Sequence, residues 1–371
     1  MSGPKPMGDI AKGVLGGAWT LLVGWILPTA LNLAVFLLAV APSLHNLHAF
    51  DRLRSVGAAS ASLVMLTSAL LLGLVANACQ SALYRLLEGY LLWPARAYET
   101  GSRRNRRLKA HLADRLTVLR LERRQRDDGD LPPEASEQLA QLLAQPHLTR
   151  TAARDRRRTA VQRALIQERL ARYPIDDDQI APTRLGNAIR RFEEYGWDRY
   201  RLDTQLLWNE LTGCVPDQVR RQVDLARTSV DFFVALLFGH VAVGILAALA
   251  LATARPDTPL LLSTIAVLFG LVPVWYRSAV TATDEWAAAV RALVNSGRKP
   301  LADCLGLALP RTLAAERDMW AMVSRLSRIP YHERAAALDP YRLTPAGDEP
   351  CAGGTRFEPR TDGSDSACPR D

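Results

Sequence analysis

The sequence predicts an all-α fold in which four transmembrane helices form two hairpins with a helical cytoplasmic insertion between them. Three observations carry that prediction. Apolar runs at 18–41, 61–83, 229–252 and 259–276 reach, or fall a residue or two short of, the roughly 20 residues a helix needs to cross about 30 Å of hydrocarbon. The stretch from Ala95 to Arg227 is too rich in arginine to enter lipid. Within it, apolar residues recur at the three- and four-residue spacing of amphipathic helices, as at Leu108, Leu112, Leu116 and Leu119. The 371 residues accordingly divide into an N-terminal segment (1–17), a first hairpin (18–94), a basic helical module (95–215), a lever helix with the second hairpin (216–277), C-terminal helices (278–342) and a tail (343–371).

Lys5 and Lys12 precede the first span and favour a cytoplasmic N-terminus. Ala39-Val40-Ala41 has the small residues of a signal-cleavage site, but the apolar run outlasts a usual signal core and Pro42 follows directly, so the segment is expected to stay as a span. Pro28 and Asn32 predict a kink packed against a partner helix. In the outer loop, His45, His48 and Asp51 have loosely the spacing of metal ligands, and a solvated polar loop accounts for them better. The second span carries Asn77 among leucines, with Tyr90 and Trp93 as an interfacial belt and Pro94 as a stop.

In the insertion, Ser102 is expected to cap a basic amphipathic helix suited to an anionic bilayer surface or to a sister helix. Helices are expected at 134–145 and 151–172, the second burying Val161, Leu165, Ile166 and Leu170. Asp176-Asp177-Asp178 reads as a solvated turn, since three adjacent carboxylates do not converge on one ion unaided. Leu185, Ile189 and Phe192 form an apolar helix face, Asp203 is the expected N-cap of a helix at 204–211, and Trp208 anchors the segment. Arg184, Asn187, Arg199, Asp203 and Trp208 are the candidate partner or structural motif. For Arg184, Asn187 and Asp203, capping and ion pairing are the simpler reading and ligand binding the sharper one.

From Pro216 a helix runs without a breaker into the third span, forming a rigid lever. Asp231 sits at the inner edge of that span, where it reaches water, and His240 lies deeper, where a neutral imidazole bonded to a neighbouring helix is expected. After the fourth span the helix is predicted to continue from Ser278 to Asn295, stop at Ser296-Gly297 and restart at Pro300, with a further helix at 312–327. The tail lacks apolar rhythm and predicts disorder.

The strings PTRLGN (182–187), RYRLD (199–203) and LLW (206–208), together with WAAAVRALVNSGRKPLADCLGLALP (286–310), resemble uncharacterised multi-pass membrane proteins of actinobacteria. The resemblance implies a multi-pass family and brings with it no activity, cofactor or site.

Neither a Walker A loop nor HExxH, GxSxG or a kinase set is present, so hydrolase, ATPase and metalloprotease readings lose their usual support, and neither an enzyme nor a cofactor is expected. No span carries a charged residue near its centre, which speaks against ion-coupled transport. The five cysteines lack CxxC spacing and fit reduced thiols. A net charge of +8, concentrated in the insertion, points to anionic lipid headgroups or a cytoplasmic protein as partner. Nucleic acid is the weaker candidate, because no aromatic residues interleave with the arginines. Two functions follow: a plasma-membrane scaffold or sensor built on the basic module, or an oligomeric pore with Asn32, Asn77 and His240 as its polar groups, gated through the lever. In both, the two termini face the cytoplasm. Reporter domains fused near Arg150 and at the C-terminus should both give a cytoplasmic signal; a periplasmic signal from either reverses the order of spans.

Overall fold

The computed structural model describes residues 17–44, 58–253, 255–330 and 333–343. The N-terminal lysines, the loop bearing His45, His48 and Asp51, and the tail from 344 lie outside the described residues. Helix α1 (Gly17–Ser43) widens into π-helical turns at Leu22–Ile26 and Phe36–Val40, on either side of Pro28. Side chains close around the proline: the Thr29 hydroxyl donates to the Trp25 carbonyl at 2.7 Å and the Asn32 amide to that of Pro28 at 2.8 Å. The predicted second span is not straight. It consists of α2 (Ala58–Ala78) and α3 (Gln80–Glu88), bent by 53° about Cys79, and Gly89 ends α3 in the left-handed region at φ 92°.

In the insertion, α4 (Ala95–Asp128) starts directly after Pro94, so Ser102 lies inside the helix instead of capping it, and its buried hydroxyl has no hydrogen-bond partner among the described residues. Helices α5 (Pro133–Leu143), α6 (Pro146–Asp155) and α7 (Thr159–Leu170) fold back on α4. The expected helix at 151–172 is thus two helices, joined by a 3-10 turn at Arg156–Arg158. Leu112, Leu116 and Leu119 are buried against Ile166 and Tyr173, so the basic helix spends its apolar face on α7 and not on lipid. Val161 and Leu165, expected inside, face outward; Ile166 is buried and Leu170 partly so. Asp155 is 1% exposed and is gripped through both oxygens by Arg115 at 2.9 and 2.7 Å. The acidic turn is tied to the chain: Asp176 accepts from the Asp178 N–H at 3.0 Å and Asp177 pairs with Lys109 at 2.5 Å.

Helix α8 (Arg184–Glu193) is capped by the Thr183 hydroxyl, which accepts from the Gly186 N–H at 3.0 Å, and it buries Leu185, Ile189 and Phe192 as the periodicity predicts. A short α9 (Tyr195–Tyr200) follows. Asp203 accepts from the Leu206 N–H at 3.1 Å but caps only a turn, and α10 (Trp208–Cys214) begins later than expected. Helix α11 (Asp217–Ala250) is the unbroken lever that the sequence predicts. It packs side by side with α12 (Thr258–Cys304), with Gly244 facing the Phe269 ring.

Helix α12 runs through both the predicted stop at Ser296-Gly297 and the predicted start at Pro300. Gly297 serves close approach: a Cβ there would lie 2.7 Å from both Leu211 and Val215, while Val294, Leu301 and Ala302 are buried by the continuing helix. Helix α13 (Leu313–Leu326), capped by Thr312, closes the structure and buries Met319, Trp320 and Val323. Among the described residues, three helices are long and apolar enough to cross a membrane (α1, α11 and α12), or four if the bent α2–α3 pair is one span. One of the hydrophobic clusters among the described residues joins them to the later part of the module (185–215), running from Trp25 and Tyr84 through Ile189 and Val230 to Leu293 and Trp320, while α4 to α7 have clusters of their own.

Substituting Gly297→Leu is expected to cost about 1–3 kcal/mol by forcing α10 off α12, read as a lower melting temperature of the full chain in detergent. An unchanged melting temperature would show that the two helices do not meet there.

Candidate functional site

Asp231 is the one carboxylate in the apolar run 229–252. The sequence places it at a wet boundary; the structure buries it to 7% exposure. Unpaired, a charge in such a place is costly, and here it is provided for. The Tyr84 hydroxyl donates to it at 2.7 Å, the Trp25 indole donates to it as well, and Arg227 stands one turn away at 3.9 Å. Trp25 reaches it because Gly24 lets α1 approach: a Cβ on Gly24 would sit 3.3 Å from the Asp231 Cβ. Three elements, α1, α3 and α11, thus meet at one carboxylate.

Beside this knot lies a cavity of about 460 Å³. Its apolar wall is aromatic, made by Tyr84, Phe192, Trp208 and Trp286. The Phe192 and Trp286 ring centres are 4.7 Å apart, and Tyr84 meets Trp286 edge-on at 6.4 Å. The Trp286 indole N–H is buried and finds no acceptor among the described residues. Its charged lining comprises Arg85 and Glu88 from α3, Glu193 from α8 and Arg227 from α11, the last lying 5.8 Å over the Trp286 ring. Helix α8 comes close at Gly186, where a Cβ would stand 2.9 Å from the Glu88 Cα, and Glu193 at the far end of α8 lines the same cavity as Glu88. Burial, then the neighbouring charges of Glu88 and Glu194, push the Glu193 carboxyl up to about 7, against the pull of Arg190 and a hydrogen bond from Gln205.

Of the candidate motif Arg184, Asn187, Arg199, Asp203 and Trp208, only Trp208 lines this cavity. Asn187 is buried and staples the preceding loop, accepting from the Ala181 N–H at 2.7 Å and donating to the carbonyls of Ala181 at 3.0 Å and Thr183 at 2.7 Å. Arg184 is exposed, and its backbone N–H bonds to the Tyr276 hydroxyl at 3.1 Å. Arg199 is exposed and offers its carbonyl to Arg317 at 2.8 Å, while Asp203 pairs with Arg328. In the spans, Asn32 and His240 meet across α1 and α11 at 2.8 Å, the interhelical bond expected of His240. Asn77 is half-buried on α2 and bonds to neither.

Tyr84, Glu193, Trp286 and Trp25 are not among the site residues that the sequence singles out. A lone carboxylate in an apolar run signals that a donor must exist, but nothing in one sequence says which helix supplies it. Set against family models, curated proteins and solved structures, the chain matches none.

Because the Glu193 carboxyl is raised from 4.5 to about 7, the native state holds its proton more tightly than the unfolded chain does. Its contribution is most favourable below pH 4.5 and is lost as the pH rises to about 7. Glu193→Gln should flatten the fall in melting temperature across that window and raise the melting temperature at about pH 8. A variant whose pH profile overlays that of the parent chain would remove Glu193 from this role.

Proposed function

We propose that the chain is a plasma-membrane sensor or scaffold, not an enzyme, with four spans in two hairpins and both termini in the cytoplasm. The observation that carries this reading is the continuity of the two long helices. Both α11 and α12 run without a break from an apolar segment into the core of the charged module, and a helix transmits displacement along its length. The module is tied to them by directional bonds: Arg172 forks onto Asp284 of α12 at 2.8 and 2.5 Å, and the Tyr276 hydroxyl accepts from the first N–H groups of α8, those of Arg184 and Leu185. A shift of the spans relative to one another would therefore reach the module through the junction cavity.

The output surface is electrostatic. With the leucine stripe of α4 used internally, partner contact falls to exposed guanidinium groups such as Arg104, Arg107, Arg157 and Arg158. Their fit is to anionic lipid headgroups or an acidic protein surface, and in a homo-oligomer each copy would present the same patch. A pore draws less support, since Asn32 and His240 satisfy each other instead of lining an open path.

Tyr84→Phe keeps the ring and removes the hydroxyl from Asp231. Amide hydrogen exchange on the full chain should then rise together in α8, α11 and the inner part of α12. Faster exchange confined to the residues touching Tyr84 would contradict the coupling.

A further inference from the structure

We infer that the junction cavity binds a zwitterion, its ammonium group at Glu88 and Glu193 and its anionic group at Arg227. The inference rests on the sensor reading above and names the chemistry of what is sensed. The layout comes from α3, on which Tyr84 and Glu88 stand about one turn apart, roughly 6 Å along the axis. At the Tyr84 level, the hydroxyl is bonded to Asp231, which brings Arg227 alongside, and the Tyr84 ring meets Trp286. At the Glu88 level, the helix backbone rests on Gly186, and Glu88 and Glu193 both line the cavity. The cavity therefore carries Arg227 beside Tyr84 and two carboxyl groups one turn further along.

Each level lacks something that a ligand would supply. Asp231 is occupied by Tyr84 and Trp25, and Arg227 reaches it only at 3.9 Å, which leaves the guanidinium free to take a second anion. Glu88 and Glu193 are half-buried carboxyl groups lining one cavity, with Arg85 and Arg190 as the nearby counter-charges of Glu88. Phe192 and Trp208 supply aromatic faces of the kind that hold ammonium groups. A cation alone would leave Arg227 unanswered, and an anion alone would face Glu88 and Glu193. The volume of about 460 Å³ admits a small polar ligand. Two sources share the required chemistry: the headgroup of an ethanolamine phospholipid reaching in from the bilayer, and a free zwitterion from the cytoplasm.

The test uses the full chain in nanodiscs, titrated with phosphorylethanolamine, ethanolamine and inorganic phosphate and followed by tryptophan emission and calorimetry. In phosphatidylglycerol discs, phosphorylethanolamine should bind saturably and at least about tenfold tighter than either half-ligand. Glu193→Gln and, separately, Glu88→Gln should each weaken it by about tenfold while a saturable signal remains. In phosphatidylethanolamine discs, loss of the titration identifies the lipid headgroup as the occupant, and its retention identifies a free zwitterion; both support the site. Absence of saturable binding in phosphatidylglycerol discs overturns it, as does equal affinity for ethanolamine or phosphate, or binding unchanged in both carboxylate variants. Because binding is read directly, a negative result here leaves the exchange response to Tyr84→Phe as an independent measure of coupling.

Discussion

The hydrogen bond from Tyr84 to Asp231 is the constraint on which the rest of the junction depends. A carboxylate among apolar residues is retained only where donors meet it, and its two hydrogen bonds come from other helices, Arg227 of α11 itself reaching it only at 3.9 Å. Supplying them fixes α1 through Trp25 and α3 through Tyr84. The local irregularities lie close by. The π-helical turn of α1 spans Leu22–Ile26 and so contains Trp25, and the 53° bend at Cys79 falls just before the helix that carries Tyr84.

The same constraint opens the cavity. Once α3 is held to α11, its next turn projects Glu88 toward α8, which approaches closely because residue 186 is glycine. Aromatic side chains from α8, α10 and α12 cover the space between without filling it, and the charged groups left along its edge are only partly matched. Burial of charge is expensive, and incomplete matching in a half-buried space marks a place where a ligand rather than the chain itself completes the set.

Much of the architecture was legible in the sequence, for a definite physical reason. Apolar length and helical periodicity are local properties, so the apolar helices, the unbroken lever from Pro216, the leucine stripe of α4 and the buried face of α8 could all be read directly. Failures came where tertiary packing outweighed a local signal. Ser296-Gly297 has the chemistry of a helix end, yet the glycine is spent on contact with Leu211 and Val215 and the helix continues. Ser102 has the chemistry of a cap but stands inside a helix that Pro94 starts. The site was the least legible part, since Tyr84 and Asp231, or Glu88 and Glu193, are far apart in sequence and become neighbours only through the fold. Asn187 and Asp203 illustrate the converse: prominent in the sequence, they are occupied by the chain's own backbone and by Arg328.

The most direct test of the junction is a double-mutant cycle between Tyr84→Phe and Asp231→Asn, measured by reversible unfolding of the full chain in detergent. If the hydroxyl and the carboxylate are partners, the two losses should be non-additive by about 1 kcal/mol or more, the double variant being little worse than the poorer single one. Additive losses, equal within about 0.3–0.5 kcal/mol to the sum of the singles, would contradict the bond and with it the arrangement of helices around Asp231.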